Sequence, residues 1–126
     1  MTPFYPVLTR NMLRRSANDG ARGAGSAIVA EIVTFRLSNG ITPESFLDAV
    51  ATSDAFLDTR SGFLSRRLTQ NDDGTWTDYL EWTDMEAAKS AAEALMTSEG
   101  VQPFLSAVDP ESVTMHHGHI RRKRAA

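Results

Sequence analysis

"WTDYLEWTDMEAAKSAAEAL", residues 76–95, decides the reading of this chain. In an extended strand, side chains alternate, so Trp76, Asp78, Leu80 and Trp82 fall on one side and Thr77, Tyr79 and Glu81 on the other. Beyond Trp82 the period changes: Met85, Ala88, Ala92 and Leu95 recur at helical spacing, and their alanines allow close approach to a sheet. Thr83 followed by Glu86 is a Thr-x-x-Glu capping-box pattern, which places the helix start at Thr83. A strand with large rings on both sides, running straight into an amphipathic helix, needs cover on both of its faces.

The neighbouring segments supply part of that cover. Upstream, "NDDG" (71–74) is a hairpin turn signal that pairs the third strand antiparallel with "GFLSRRLTQ" (62–70). Thr42 before Pro43 starts an earlier helix, a hydroxyl cap followed by a residue whose missing N–H costs nothing there. Phe46, Val50, Ser53 and Leu57 mark that helix's inner face, with Ala49 and Phe56 beside it. Before it, "AIVAEIVTFRL" (27–37) reads as a first strand, with Glu31, Val33 and Phe35 sharing one side with Val29, and Ile28, Ala30 and Ile32 the other. It is apolar on both sides and is expected to be buried on both. Downstream, Phe104, Leu105 and Val108 plug the core's end, "DPES" breaks the chain, and "VTMHHGHI" (113–120) forms a fourth strand.

Strand–helix–strand–strand–helix–strand is the ferredoxin-like βαββαβ plan of an α+β protein: an antiparallel four-stranded sheet with both helices on one face. Each Trp or Tyr hides roughly 150–250 Å² when buried, so a whole wetted face is costly. A second copy packed sheet to sheet is the simplest cover, and a homodimer through the open face is expected.

Composition narrows the partners. A chain of 126 residues makes one domain, and without cysteine it has neither disulfides nor thiolate chemistry. Residues 1–26 read as a flexible N-terminal extension, residues 27–120 as the folded domain and residues 121–126 as a basic, solvated tail. The folded domain carries 5 basic against 15 acidic side chains, a net charge of −10, while "RRKR" (121–124) adds +4. An acidic body of this kind repels phosphate backbones, so nucleic acid is not an expected partner. The basic ends can touch an anionic partner or fold back over the acidic body. No apolar run is long enough for a membrane span, and no secretory signal pattern opens the chain, so a cytoplasmic protein with no membrane partner is expected.

"EIVTFRL", "GFLSRRL", "DGTWTDYLEWTDMEAAKSAAEAL" and "FLSAVDPESV" together resemble the antibiotic biosynthesis monooxygenase (ABM) domains of the dimeric α/β-barrel superfamily. The resemblance covers about residues 27–120 and rests on pattern and length. It implies a cleft between sheet and helices in each protomer, lined by Trp82, whose indole can stack on a planar substrate. It also puts Val33, Phe35 and Leu80 on the cleft side, with Asp78 and Glu31. A buried Glu31 or Asp78 has its pKa raised and can deprotonate a phenol or enol; the plainer expectation is that Glu31 reaches solvent or pairs with Arg66 or Arg67. The activity implied is oxidation of a small planar aromatic or enolisable molecule without cofactor or metal. The alternative is a non-catalytic dimeric binding or stress-associated domain, with Trp82 merely packing the junction and a cleft filled by Phe46 and Phe104.

The haem-degrading members resemble a triad with an asparagine on the first strand and a histidine on the second helix; residues 27–37 lack Asn and residues 84–96 lack His, so that activity is not expected. His117 and His119 share one strand side and His116 takes the other. No metal site is read from them, because no ligand-spacing motif accompanies them; His117 is retained as a proton relay near neutrality. "GARGAG" lacks a preceding strand, which removes it as a phosphate loop.

Overall fold

The computed structural model describes residues 27–126, so the reading of residues 1–26 lies outside the described residues. Four strands, β1 (Val29–Phe35), β2 (Phe63–Gln70), β3 (Trp76–Trp82) and β4 (Thr114–His119), form one sheet in the order β2-β3-β1-β4, and every pairing is antiparallel. Helix α1 (Pro43–Asp58) follows β1 and helix α2 (Met85–Thr97) follows β3. A short helix α3 (Gln102–Ala107) and two 3₁₀ turns (Glu99–Val101, Pro110–Ser112) lead to β4. This is the ferredoxin-like arrangement.

Local chemistry fixes the joints. The Thr42 hydroxyl accepts from the Ser45 N–H at 3.1 Å, capping α1 one residue before Pro43. All four predicted inner residues of α1, Phe46, Val50, Ser53 and Leu57, are buried. For α2 the cap differs from expectation: Asp84, not Thr83, is the N-cap, and its carboxylate accepts from Ala87 N at 2.8 Å. Thr83 is held instead by the sheet, its N–H donating to Gly62 O at 2.8 Å. Gly62 has φ +87°, and a Cβ there would stand 2.4 Å from Ala87 Cβ and 2.7 Å from Thr83 Oγ1. Only glycine lets the start of β2 pass so close to the start of α2. The 71–74 turn closes as predicted, with Gly74 N–H on Asn71 O and Gly74 at φ +89°.

Alternation on β3 divides the molecule. Trp76, Asp78, Leu80 and Trp82 all point toward the helices and are buried. The core there is split in two. One cluster gathers Phe35, Phe46, Trp76 and Phe104 with the α3 residues; the other gathers Leu57, Leu80, Trp82, Ala88 and Ala91. On the opposite face, registers place Arg67, Tyr79, Ile32 and His116 in one row across all four strands. Ile32 and Tyr79 are half-buried there, while Ile28 is 41% and Leu64 45% exposed. Among the described residues no helix is long and apolar enough to cross a membrane.

Candidate functional site

A partly open cavity of about 70 Å³ lies between the sheet and the helices, where the two core clusters meet. Its wall is mostly apolar: Val33, Phe35, Leu80 and Trp82 from the sheet, Ala88 and Leu95 from α2. Four polar side chains interrupt that wall: Glu31, Asp78, Arg66 and Ser53. A polar group in such a place needs a partner, because an unpaired one is costly to bury.

Three of the four satisfy one another. Arg66, on β2, grips Asp78 in a bidentate pair, Nε to Oδ1 at 2.9 Å and Nη2 to Oδ2 at 2.7 Å. Its Nη1 donates to Ser53 Oγ at 2.7 Å and to the exposed Asp54 carboxylate at 3.0 Å, tying β2 and β3 to α1. Ser53 in turn donates to Val50 O at 2.7 Å, and the guanidinium lies 5.3 Å over the Phe104 ring. Burial opposes the guanidinium's charge, but the hydrogen bonds and field of Asp78, then of Asp54, outweigh it and hold its pKa above the ordinary value.

Glu31 is the fourth, and it differs. Its Oε1 accepts the Trp82 indole N–H at 2.7 Å, a diagonal contact, since Trp82 pairs with Val29 and Glu31 with Leu80. Oε2 takes no hydrogen bond among the described residues and belongs to a side chain on the cavity wall. Glu31 therefore neither reaches solvent nor pairs with Arg66 or Arg67: the strand's pleat turns it inward, and Asp78 has already engaged Arg66. Burial pushes its carboxyl up to about 7; the Trp82 N–H pulls the other way, the Asp78 charge adds to the rise, and Arg66 offsets part of it. At neutral pH both protonation states are populated, the condition for a general base.

Six of the seven sequence-derived site residues, Glu31, Asp78, Trp82, Val33, Phe35 and Leu80, come together on the wall. His117 does not line it. It sits on β4 opposite Glu31 in the register, half-buried on the same side of the sheet. Among the described residues no three His, Asp or Glu side chains form a group that could hold a metal ion. Phe104 lines the cavity without filling it, and Phe46 lies in the packed cluster beyond. Arg66 and Ser53 are the polar wall residues that the sequence reading did not assign to the site. Two signals pointed to them: a serine in the middle of an apolar helical stripe, and an aspartate between two tryptophans that needs a cation.

No family model matches the sequence, and no curated protein matches it. Solved structures do. The chain superimposes on a putative antibiotic biosynthesis monooxygenase from Bordetella bronchiseptica (TM-score 0.63, 15% identity, 79% of this chain and 99% of that one). It also matches SnoaB, a cofactor-independent oxygenase from Streptomyces nogalater (TM-score 0.54, 20% identity, 79% and 96%). This chain has an ABM-like fold. A hydroxynitrile lyase from Passiflora edulis shares the fold at 12% identity (TM-score 0.56, 79% and 99%). The ABM-like scaffold thus carries more than one chemistry, and the reaction must be argued from the site.

Proposed function

We propose that the cavity beside Trp82 binds a small planar phenol or enolisable molecule and oxidises it with dioxygen, Glu31 acting as the base. The observation that carries this reading is Glu31 itself: a buried carboxyl on the cavity wall, one oxygen fixed by the Trp82 N–H at 2.7 Å, its pKa pushed up by burial to about 7. The Trp82 N–H orients the carboxyl, and the indole with Leu80 and Phe35 offers flat apolar surface to a ring. About 70 Å³ is small beside the roughly 150 Å³ that encloses benzene, so a ligand is held by part of its ring system with the remainder at the mouth. Glu31 takes a proton from the substrate, and the resulting carbanion donates electrons to dioxygen. A carbon-bound hydroperoxide forms and loses water to leave a carbonyl, so substrate CH₂ and O₂ become C=O and H₂O. The acidic wall favours substrates that arrive uncharged.

The chain works as a homodimer in this reading, its open sheet face against a second copy; Ile28, Leu64, Ile32 and Tyr79 on or beside that face support it. Oxygen uptake with a panel of phenols and quinols tests the reaction. Turnover is expected to rise with pH through about 7 and to fall by about 10²-fold or more in Glu31→Gln. Absence of turnover across the panel, or an unchanged rate in Glu31→Gln, defeats the assignment.

A further inference from the structure

We propose that the basic C-terminal segment, Arg121–Arg124, is an electrostatic clasp by which the open sheet face takes a second copy of this chain; this rests on the homodimer reading above. Strand β4 is an edge strand, and after His119 the chain extends its pairing by one step, Ile120 N–H donating to Ile28 O at 2.8 Å. It then turns back. Lys123 Nζ comes within 3.5 Å of Glu81 Oε1, and Glu81 lies on β3, on the far side of β1. The segment therefore passes over the open face rather than away from it.

Beneath it lies the buried part of that face. Glu81 and its register partner Ala30 are 7% and 8% exposed, whereas Arg67, Thr69 and His116 on the same side are exposed. The Glu81 carboxylate takes the Tyr79 hydroxyl at 3.1 Å on its other oxygen. Burial first, then Glu81's hydrogen bond and charge, hold the Tyr79 phenol above its ordinary pKa, so it stays a donor. Lys123 is thus the cation of a buried acid in the middle of a docking surface, yet its own side chain is 69% exposed. Arg121, Arg122 and Arg124 are exposed beside it and form no ion pair among the described residues.

Charge decides what these cations meet. The folded body carries −10, and two such bodies brought face to face repel. A +4 segment held at the seam by Glu81 faces the acidic body of the incoming copy and offsets that repulsion. A segment that merely blocked the face would act in the opposite sense, and the two roles separate on measurement.

The experiment is sedimentation equilibrium of the full-length chain beside a full-length variant carrying Arg121→Gln, Arg122→Gln, Lys123→Gln and Arg124→Gln. At about 50 mM salt the variant dimer is expected to be about tenfold weaker, the combined effect of four exposed, partly screened charges. Salt at about 0.5 M should tighten the variant and close the gap, because the repulsion it suffers is screened. An unchanged or tighter variant dimer overturns the clasp while the homodimer stands. A full-length chain that stays monomeric at about 0.1 mM, too weak for a specific complex, removes the homodimer reading and the clasp with it.

Discussion

Trp76 and Trp82 stand at opposite ends of β3, point the same way and are almost equally buried, yet they live in different chemistry. Trp76 sits edge-on to the Phe46 ring at 4.8 Å, and its indole N–H has no acceptor among the described residues. Trp82 meets Phe63 edge-on at 5.6 Å, and its N–H is committed to Glu31 at 2.7 Å. At the first end the indole serves as volume, and packing tolerates one unsatisfied donor. At the second it serves as a polar arm in a wall that also holds a buried ion pair. A fold needs only the first arrangement. The second accumulates acids and a guanidinium where apolar side chains would pack as well, and that is how a site announces itself.

The largest expected effect comes from breaking the polar part of the cavity wall at its hub. Arg66→Leu leaves Asp78 buried without its cation, a change expected to cost about 3–5 kcal/mol in urea denaturation. The double variant Arg66→Leu/Asp78→Leu should recover most of that loss, since a well-packed apolar pair replaces the ions. If the double variant is as unstable as the single, the ion pair does more than neutralise itself, and the contrast between the two ends needs redrawing.

Next in size is the pH dependence that Glu31 imposes. Its folded pKa is raised from 4.5 to about 7, so the folded chain binds its proton more tightly than the unfolded chain does. The stability this confers is complete below about 4.5 and is lost as pH rises through about 7. The loss is on the order of 3 kcal/mol for a shift of this size. Glu31→Gln should remove that component from the stability–pH curve while leaving the Trp76 end untouched. A wild-type curve flat between pH 4.5 and 8, or a Gln variant with the same slope, would place Glu31 in water after all.

How much of this was legible in the sequence depends on what each signal measures. Periodicity reports which side of an element faces the core, so the Phe46–Val50–Ser53–Leu57 stripe and the Trp76–Trp82 face were readable and are buried as read. The α2 stripe was read less well. Met85 and Ala88 are buried, but Ala91 joins them while Ala92 and Leu95 are half-buried, and all of these but Met85 line the cavity. A void leaves no mark in a pattern that only separates inside from outside. The α2 cap slipped by one residue because Thr83 and Asp84 are both good caps, and the tight passage at Gly62, invisible in sequence, holds Thr83 to the sheet. Glu31 was placed on the correct side but matched to the wrong partner, since pairing across strands depends on register, and register puts Trp82 on its diagonal.

The smallest effect gives the cleanest contrast. Trp76→Phe and Trp82→Phe delete the same atoms from the same face of one strand, so their packing losses are alike in kind. They differ in the hydrogen bond. Trp76→Phe removes a donor with no acceptor among the described residues, whereas Trp82→Phe takes from Oε1 of Glu31 the indole N–H that it accepts. Trp82→Phe should therefore cost about 1–2 kcal/mol more than Trp76→Phe at pH 8–9, where the carboxylate is ionised and its hydrogen bond charge-assisted. At pH 5–6 Glu31 is protonated, its oxygen is a weaker acceptor, and the gap should shrink. Trp82→Phe should also raise the Glu31 pKa above about 7, because the Trp82 N–H is the larger of the two interactions that favour its charged form, ahead of the Arg66 charge. Chemical-shift titration of the Glu31 side-chain carbon reads that movement directly. A gap between the two variants that ignores pH, with the Glu31 titration unmoved, would mean that Trp82, like Trp76, is there for its volume.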